Sequence, residues 1–342
     1  MATGRILYVG PMWEGCTCRE RAHVLEGYGY VIDALDTAPY LEQTSRVVRA
    51  FEHRLLWGPN VTALNRALVK LAKEKQMPDV IWFDKARWLY PATLERIKKE
   101  TGAICVHYTP DPAFTVHTSR HFSKAIQLFD LCVTTKAYEL NAYRDNGARH
   151  VLFTLQGIDD RFTSLAQPPD SNRQSGSVFV GHCEPHYINM LNAAASVEDS
   201  LQIYGSGWTM AAKKNPILSG HVKAEGAWGL DYVRVLASAR IGLGLLCKSY
   251  PDKFTTRSFE VPAAGAMLLA ERTTAHQELF VEGEEAEYFS SIDEMKEKLK
   301  FYLANESARL KIAVAGQARC LEEYHWKHVL LPAVEWIESM RT

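Results

Sequence analysis

Ala166-Gln167-Pro168-Pro169-Asp170-Ser171-Asn172-Arg173-Gln174-Ser175-Gly176, followed at once by Ser177-Val178-Phe179-Val180-Gly181, stands near the middle of a chain of 342 residues. The first part is polar, turn-rich and aperiodic, and the second is an apolar run of strand length. A break followed by a fresh strand reads as a domain boundary. Upstream of it, strand-length apolar runs at residues 5–10, 30–35, 79–83, 103–108, 131–134 and 150–154 alternate with stretches of helical period at 45–57 and 61–75. Other upstream helices run through Ala22 and Leu25, open at Pro91 and end at Gly147. Downstream the pattern restarts with strands at 177–181, 201–204 and 240–246 and helices at 185–195, 292–303 and 307–323. A last amphipathic stretch, 329–340, carries Leu330, Leu331, Val334, Trp336 and Ile337. Alternating strand and helix is the signature of βαβ units on a parallel sheet. The expectation is an α/β protein of two Rossmann-like, doubly wound domains, 1–164 and 165–324, with 325–342 as a helix packing back toward the first. The length suits two cores of ordinary size.

Composition narrows the function. Lys and Arg number 39 against 40 Asp and Glu, so the formal charge is -1 and there is no overall positive field to hold nucleic acid. Seven cysteines lie scattered, without the spacing of a disulfide framework or a zinc ribbon, which suits a reducing, cytoplasmic setting. The N-terminal residues lack the pattern of a secretory signal. The most apolar runs, 241–247 and 263–270, fall short of the ~20 residues a membrane span needs, so no transmembrane segment is expected.

In open α/β sheets, ligands bind beyond the carboxyl ends of the strands, where helix N-termini present unpaired amides. Two such crevices facing each other predict an interdomain cleft. The loop Gly10-Pro11-Met12-Trp13-Glu14-Gly15 ends the first strand, but its glycine spacing is not that of a dinucleotide fingerprint. Asp111, flanked by His107 and His117, reads either as a general base at a strand end or as the cap of a turn beside proline. His182, Cys183 and His186 include good zinc ligands, yet no complementary cluster lies nearby, and no metal site is expected.

The run Thr255-Thr256-Arg257-Ser258-Phe259-Glu260-Val261-Pro262-Ala263-Ala264-Gly265, followed by Glu278-Leu279-Phe280 and Glu282-Gly283, resembles the C-terminal signature of CgeB-like, group-one glycosyltransferases. Asp84-Lys85, Tyr108-Thr109-Pro110-Asp111-Pro112, Thr134-Thr135-Lys136, Gly147-Ala148-Arg149 and Val180-Gly181 with Glu184-Pro185 agree, so the resemblance spans nearly the whole chain. It implies a GT-B fold and transfer of a sugar, with retention, from a nucleoside-diphosphate sugar bound by the second domain to an acceptor bound by the first. The sugar nucleotide is then a co-substrate, and no cofactor is implied. A nucleotide-sugar isomerase or epimerase, or a non-catalytic sugar-nucleotide binder, is the alternative on the same fold.

The family's Glu-x7-Glu pair puts the ribose diol on Glu260. Asp252 stands eight positions earlier, where the family has the Glu that holds the transferred sugar. A carboxylate suits a diol because it accepts two hydrogen bonds at once. The family's Arg and Lys after the first strand of the second domain are missing from Gly181-His182-Cys183-Glu184-Pro185-His186. The diphosphate is therefore assigned to Arg257 and Lys253, with Lys248 in reserve, and to the amides of the helix that starts at Pro185. Gly181, His182, Glu184 and Thr256 complete the donor set, and Gly205 and Trp208 are expected to frame the base, core packing of Trp208 being the alternative. On the acceptor side stand Gly10, Trp13, Glu14, Arg19, Lys85 and Tyr108, with Asp111 as the base if the reaction inverts. Catalytic roles thus fall to Asp111, Asp252 and Glu260.

Overall fold

The computed structural model describes residues 4–42, 45–74, 77–115, 118–165, 168–170 and 173–341. The chain divides into two compact units: Met1–Leu155 with Trp326–Thr342, and Gln156–His325. The division falls after Leu155, ahead of the helix Asp160–Leu165, and not in the polar stretch beyond it. Part of that stretch, 166–167 and 171–172, lies outside the described residues.

In the first unit, strands β1 (Arg5–Gly10), β2 (Val31–Asp36), β3 (Val80–Asp84), β4 (Ile104–Thr109), β5 (Leu131–Thr134) and β6 (Val151–Phe153) form one parallel sheet in the order 2-1-3-4-5-6. Parallel strands are covered on both faces and so read as continuous apolar runs, of which Val80-Ile81-Trp82-Phe83, buried throughout, is the clearest. One face packs Leu7, Val9, Ile81 and Phe83 against helices, among them Pro59–Glu74 and Pro91–Thr101. The other face packs Tyr8, Trp82 and Tyr108 against Trp326, Leu330, Val334 and Ile337 of the C-terminal residues. The Thr154 hydroxyl donates to the Val329 carbonyl at 2.7 Å, which ties that segment to the sheet.

In the second unit, β7 (Ser175–Val180), β8 (Gln202–Tyr204), β9 (Val222–Ala224), β10 (Ala239–Gly244), β11 (Met267–Glu271) and β12 (Glu287–Phe289) form another parallel sheet, in the order 12-11-10-7-8-9. Read from the other edge, this is the order 3-2-1-4-5-6 of a nucleotide-binding domain. The strand direction of travel reverses between β1 and β3 in one sheet and between β7 and β10 in the other. At such a switch point the flanking loops diverge and leave a crevice.

Among the described residues, each unit buries one histidine held neutral. Burial pushes His107 on β4 down to about 3 and His276 on the helix Thr274–Leu279 down to about 4. An unfolded chain takes up these protons near pH 6.5. A base with a depressed native pKa gives stability that is complete above pH 6.5 and lost as pH falls toward 4, about 3 kcal/mol for each histidine. The melting temperature is expected to drop across that window, and His276→Gln to lessen the drop. A melting temperature independent of pH between 6.5 and 4 would contradict it.

Candidate functional site

At the switch point of the second sheet, β7 runs into Gly181 and β10 into Leu245. The Arg257 guanidinium closes this gap. Its two terminal nitrogens donate to the carbonyls of Val180 at 3.1 Å and Leu245 at 3.3 Å, and its carbon lies 5.2 Å from the centre of the Phe179 ring. Its Nε is buried without a partner. Arg257 opens the helix Arg257–Ala263, and the turn before that helix is fixed from below. The Ser258 hydroxyl accepts from the Thr255 amide at 3.1 Å and meets His276 Nε2 at 2.7 Å. His276 Nδ1 faces the Glu271 carbonyl at 2.7 Å, so that nitrogen carries the proton and Nε2 accepts from Ser258. The Thr255 hydroxyl is buried without a partner.

Glu260, one turn along, is 6% exposed. The Tyr232 hydroxyl donates to its Oε2 at 2.5 Å, while Oε1 accepts no hydrogen bond. Burial raises the carboxyl to about 7, against the Tyr232 bond and the nearby Arg257 and Arg161, and Asp159 adds to the rise. Arg161 grips Asp159 through Nε at 2.8 Å and a terminal nitrogen at 2.5 Å.

The helix Pro185–Ala195 opens from the loop after β7, and its cap residue Glu184 makes no side-chain cap bond to the first-turn amides. The loop from β7 into that helix is pinned to the loop after β8: Gly181 N–H donates to Tyr204 at 2.9 Å, and Cys183 N–H to Ser206 at 2.9 Å. Gly205 sits at φ +138, and a Cβ there would come within 1.9 Å of the Gly181 carbonyl oxygen. Gly205→Ala is therefore expected to cost at least about 2 kcal/mol of stability and to displace the Gly181 loop. Thermal melts and diphosphate titration check this, and an alanine variant with unaltered values for both would refute it.

At the first sheet's switch point, Gly10-Pro11 end and follow β1 and Asp84-Lys85 end and follow β3. A cavity of about 200 Å³ opens here, lined by Pro11, Thr37, Glu52, Asp84, Lys85 and Trp88, with Arg49 and Arg87 also at its wall. Asp84 is 1% exposed. Its Oδ2 accepts from the Tyr8 hydroxyl at 2.7 Å and from Arg21 at 3.0 and 2.7 Å, whereas Oδ1 is buried without a partner. Arg21 in turn lies 4.6 Å over the Tyr108 ring and 5.2 Å from the Trp326 ring. Lys85, at φ +59, pairs with Asp111 at 2.5 Å.

Residues 186–334 match the family described as Glycosyl transferase-like. No curated protein matches the chain by sequence. Among solved structures, the chain is similar to HepE (Alr3699) of Anabaena in complex with UDP-glucose, at 13% identity and a TM-score of 0.67, with 98% of this chain and 100% of that chain covered. It is similar also to sucrose-phosphate synthase from Thermosynechococcus elongatus, at 12% identity, TM-score 0.70, and 98% and 99% coverage. A glycosyltransferase from Rickettsia africae matches at 12% identity and TM-score 0.66, with both chains covered in full. The chain has the GT-B fold. The second unit holds the greater part of the matched span, which includes Lys248, Asp252, Arg257 and Glu260. The narrower CgeB-like assignment is not among these matches.

Within this GT-B frame, Arg257 and Gly181 meet at the second switch point with Gly205 against the Gly181 carbonyl, Thr256 and Glu260 flank Arg257 at the start of its helix, and Glu184 caps the helix Pro185–Ala195. Lys248 stands by the end of β11, its ammonium paired to Glu271 and its side chain 52% exposed. Lys253 is exposed, and its carbonyl accepts from the Thr273 hydroxyl. Glu260 is more enclosed than a freely reaching carboxylate. The acid found near it is Asp159, whereas Asp252 is half-buried in the preceding loop, its amide bonded to the Tyr250 carbonyl.

Trp208 does not frame a base. It is fully buried, packs edge-on against Phe179, and donates its indole N–H to the Gly181 carbonyl at 2.7 Å, so it holds the loop and not the ligand. Tyr108 is likewise buried and forms part of the bed under Arg21, out of an acceptor's reach. His107 packs among Phe122, Phe129 and Tyr143, which removes it as a companion of Asp111, and His117 lies outside the described residues. His182 bonds Glu184 at 2.6 Å and His186 turns to Glu271 at 3.5 Å, so the pair does not converge with Cys183. Trp13 and Glu14 are exposed in the loop after β1, and the Arg19 amide donates to Sγ of Cys16, which caps the helix Thr17–Gly27.

Sequence reasoning missed Tyr232, Asp159, Arg161, Ser258 and His276 in the second unit, and Asp84, Arg21 and Glu52 as a buried set in the first. Most of them act through partners far along the chain, as Tyr232 with Glu260 and Arg21 with Asp84, and only Asp84, an acid ending an otherwise apolar strand, carried a local signal.

Proposed function

We propose that the chain transfers a hexosyl group from a nucleoside diphosphate sugar, of the UDP-glucose kind, to an acceptor held by the first unit. The observation that carries this is Arg257, fixed at the switch point of a nucleotide-type sheet where the loop after β7 leads into a helix without a side-chain cap. As the glycosidic bond breaks, negative charge gathers on the diphosphate. A preorganised guanidinium and helix amides stabilise that charge without reorganising. Lys248 adds a second positive charge at the rim. Glu260 Oε1 is left to take the ribose diol, and Asp252 the transferred sugar.

The acceptor site is the cavity at the first switch point. Asp84 Oδ1, buried and unpartnered in its wall, needs a donor, which an acceptor hydroxyl supplies. The carboxylate of Asp111 is engaged by Lys85, which favours transfer with retention over Asp111 acting as base.

The test is nucleotide release in the presence of UDP-glucose and a panel of sugar and sugar-phosphate acceptors. Release of UDP that requires one acceptor is expected. Conversion of the donor without an acceptor would instead mark an isomerase or epimerase, and saturable binding with no consumption under any condition a non-catalytic binder.

A further inference from the structure

The helix Arg46–Leu55 of the first unit is built inside out. Val47, Phe51 and Leu55, at i, i+4 and i+8 on one stripe, are 80%, 52% and 51% exposed, and Trp57 just beyond is 60% exposed. The inward positions are Glu52, 4% exposed, and Leu56, 9% exposed. Glu52 anchors the helix by accepting from the backbone and side-chain nitrogens of Asn60, both at 2.8 Å. A helix of a globular protein turns its apolar stripe to the core and its charges to water, so this stripe is shaped for something other than its own unit.

The surroundings say what. A groove of about 990 Å³ beside the stripe is lined by Arg54, Leu55, Trp57, Arg120, His121 and Lys124, with no carboxylate among the described residues that line it. Arg54, Arg120 and Lys124 are exposed and make no ion pair among the described residues. Arg49, also exposed, adds a charge on the helix itself. A second copy of the chain docking by a two-fold axis would bring these cations against their own images. An anionic bilayer surface satisfies both features: aliphatic and aromatic side chains enter the headgroup–acyl boundary, and each cation near the surface adds about 1 kcal/mol.

We propose that this face docks the first unit on a membrane surface carrying anionic lipids, an inference independent of the nucleotide site. No helix among the described residues is long and apolar enough to cross a membrane, so the contact is peripheral. The full chain is sedimented with vesicles of phosphatidylcholine alone and of phosphatidylcholine mixed with phosphatidylglycerol. It is expected to pellet with the anionic vesicles, and less so at high salt. Phe51→Ser with Leu55→Ser is expected to lower the partition coefficient at least tenfold. Arg120→Glu with Lys124→Glu is expected to abolish the preference for anionic lipid. All four side chains are exposed or flank the groove, and unchanged thermal melts show that both variants fold. The proposal is overturned by a wild-type chain that stays in the supernatant with anionic vesicles, or by variants that pellet as it does. It is overturned too by a wild-type dimer in solution that Phe51→Ser with Leu55→Ser dissociates, since a second copy would then own the face.

Discussion

Replacing Arg257 by methionine is expected to weaken UDP binding at least tenfold, about 1.4 kcal/mol, in calorimetric titration. Methionine keeps contact with Phe179 and removes the charge. The guanidinium is held by two carbonyls and a ring, all on the nucleotide-type sheet, and its Nε has no partner. A cation fixed before the ligand arrives loses little conformational freedom on binding, so its loss falls almost wholly on affinity. Some stability goes with the two carbonyl bonds, about 1 kcal/mol each. Equal affinity in the variant would remove Arg257 from the diphosphate site and leave it as a clasp between β7 and β10.

Glu260→Gln is expected to move stability and activity in opposite directions. Burial raises this carboxyl from 4.5 to about 7 in the folded chain. Below pH 4.5 both folded and unfolded forms hold the proton and the site contributes nothing. Between 4.5 and 7 the unfolded chain ionises first, so stability falls as pH rises, and above 7 the loss is complete at up to about 3 kcal/mol. Glutamine has no charge to desolvate and still accepts from Tyr232, so the variant melts higher than wild type at pH 8 and shows no such slope. The amide accepts at one atom only, and loss of a charge-assisted bond to the diol lowers donor affinity ten- to a hundredfold, about 1.5–3 kcal/mol. A variant that binds UDP like wild type would place the ribose elsewhere.

Much of the frame was legible in the residues. Short apolar runs such as Val80-Ile81-Trp82-Phe83, in alternation with helical stretches, read as strands covered on both faces, and the helix 185–195 was bounded by its own proline and by the end of its apolar face. The strands β9 and β12 were missed because they are three-residue edge pieces with no period to detect. β11 was noticed only as an apolar run, since its sequence, Met-Leu-Leu-Ala-Glu, serves a helix as well as a strand. The site was half legible. Arg257 and Glu260 stand in a local motif, and Arg257 reaches the carboxyl ends of β7 and β10. What surrounds them was invisible because it is assembled by tertiary contacts: Tyr232 meets Glu260 across 28 positions, and His276 fixes Ser258 across 18. Trp208 shows the opposite error. Its place after a glycine-rich turn suggested a ligand platform, but a buried indole with one N–H needs an acceptor, finds it in the Gly181 carbonyl, and serves the loop.

The central claim is that the nucleotide occupies the switch point of the second sheet. Hydrogen–deuterium exchange of the full chain with and without UDP tests it most directly. Slower exchange at residues 181–188, after β7, and at 254–261, around Arg257 and Glu260, with the first unit unchanged, is the predicted result. Protection confined to the loops after β1 and β3, or none at saturating UDP, would contradict it.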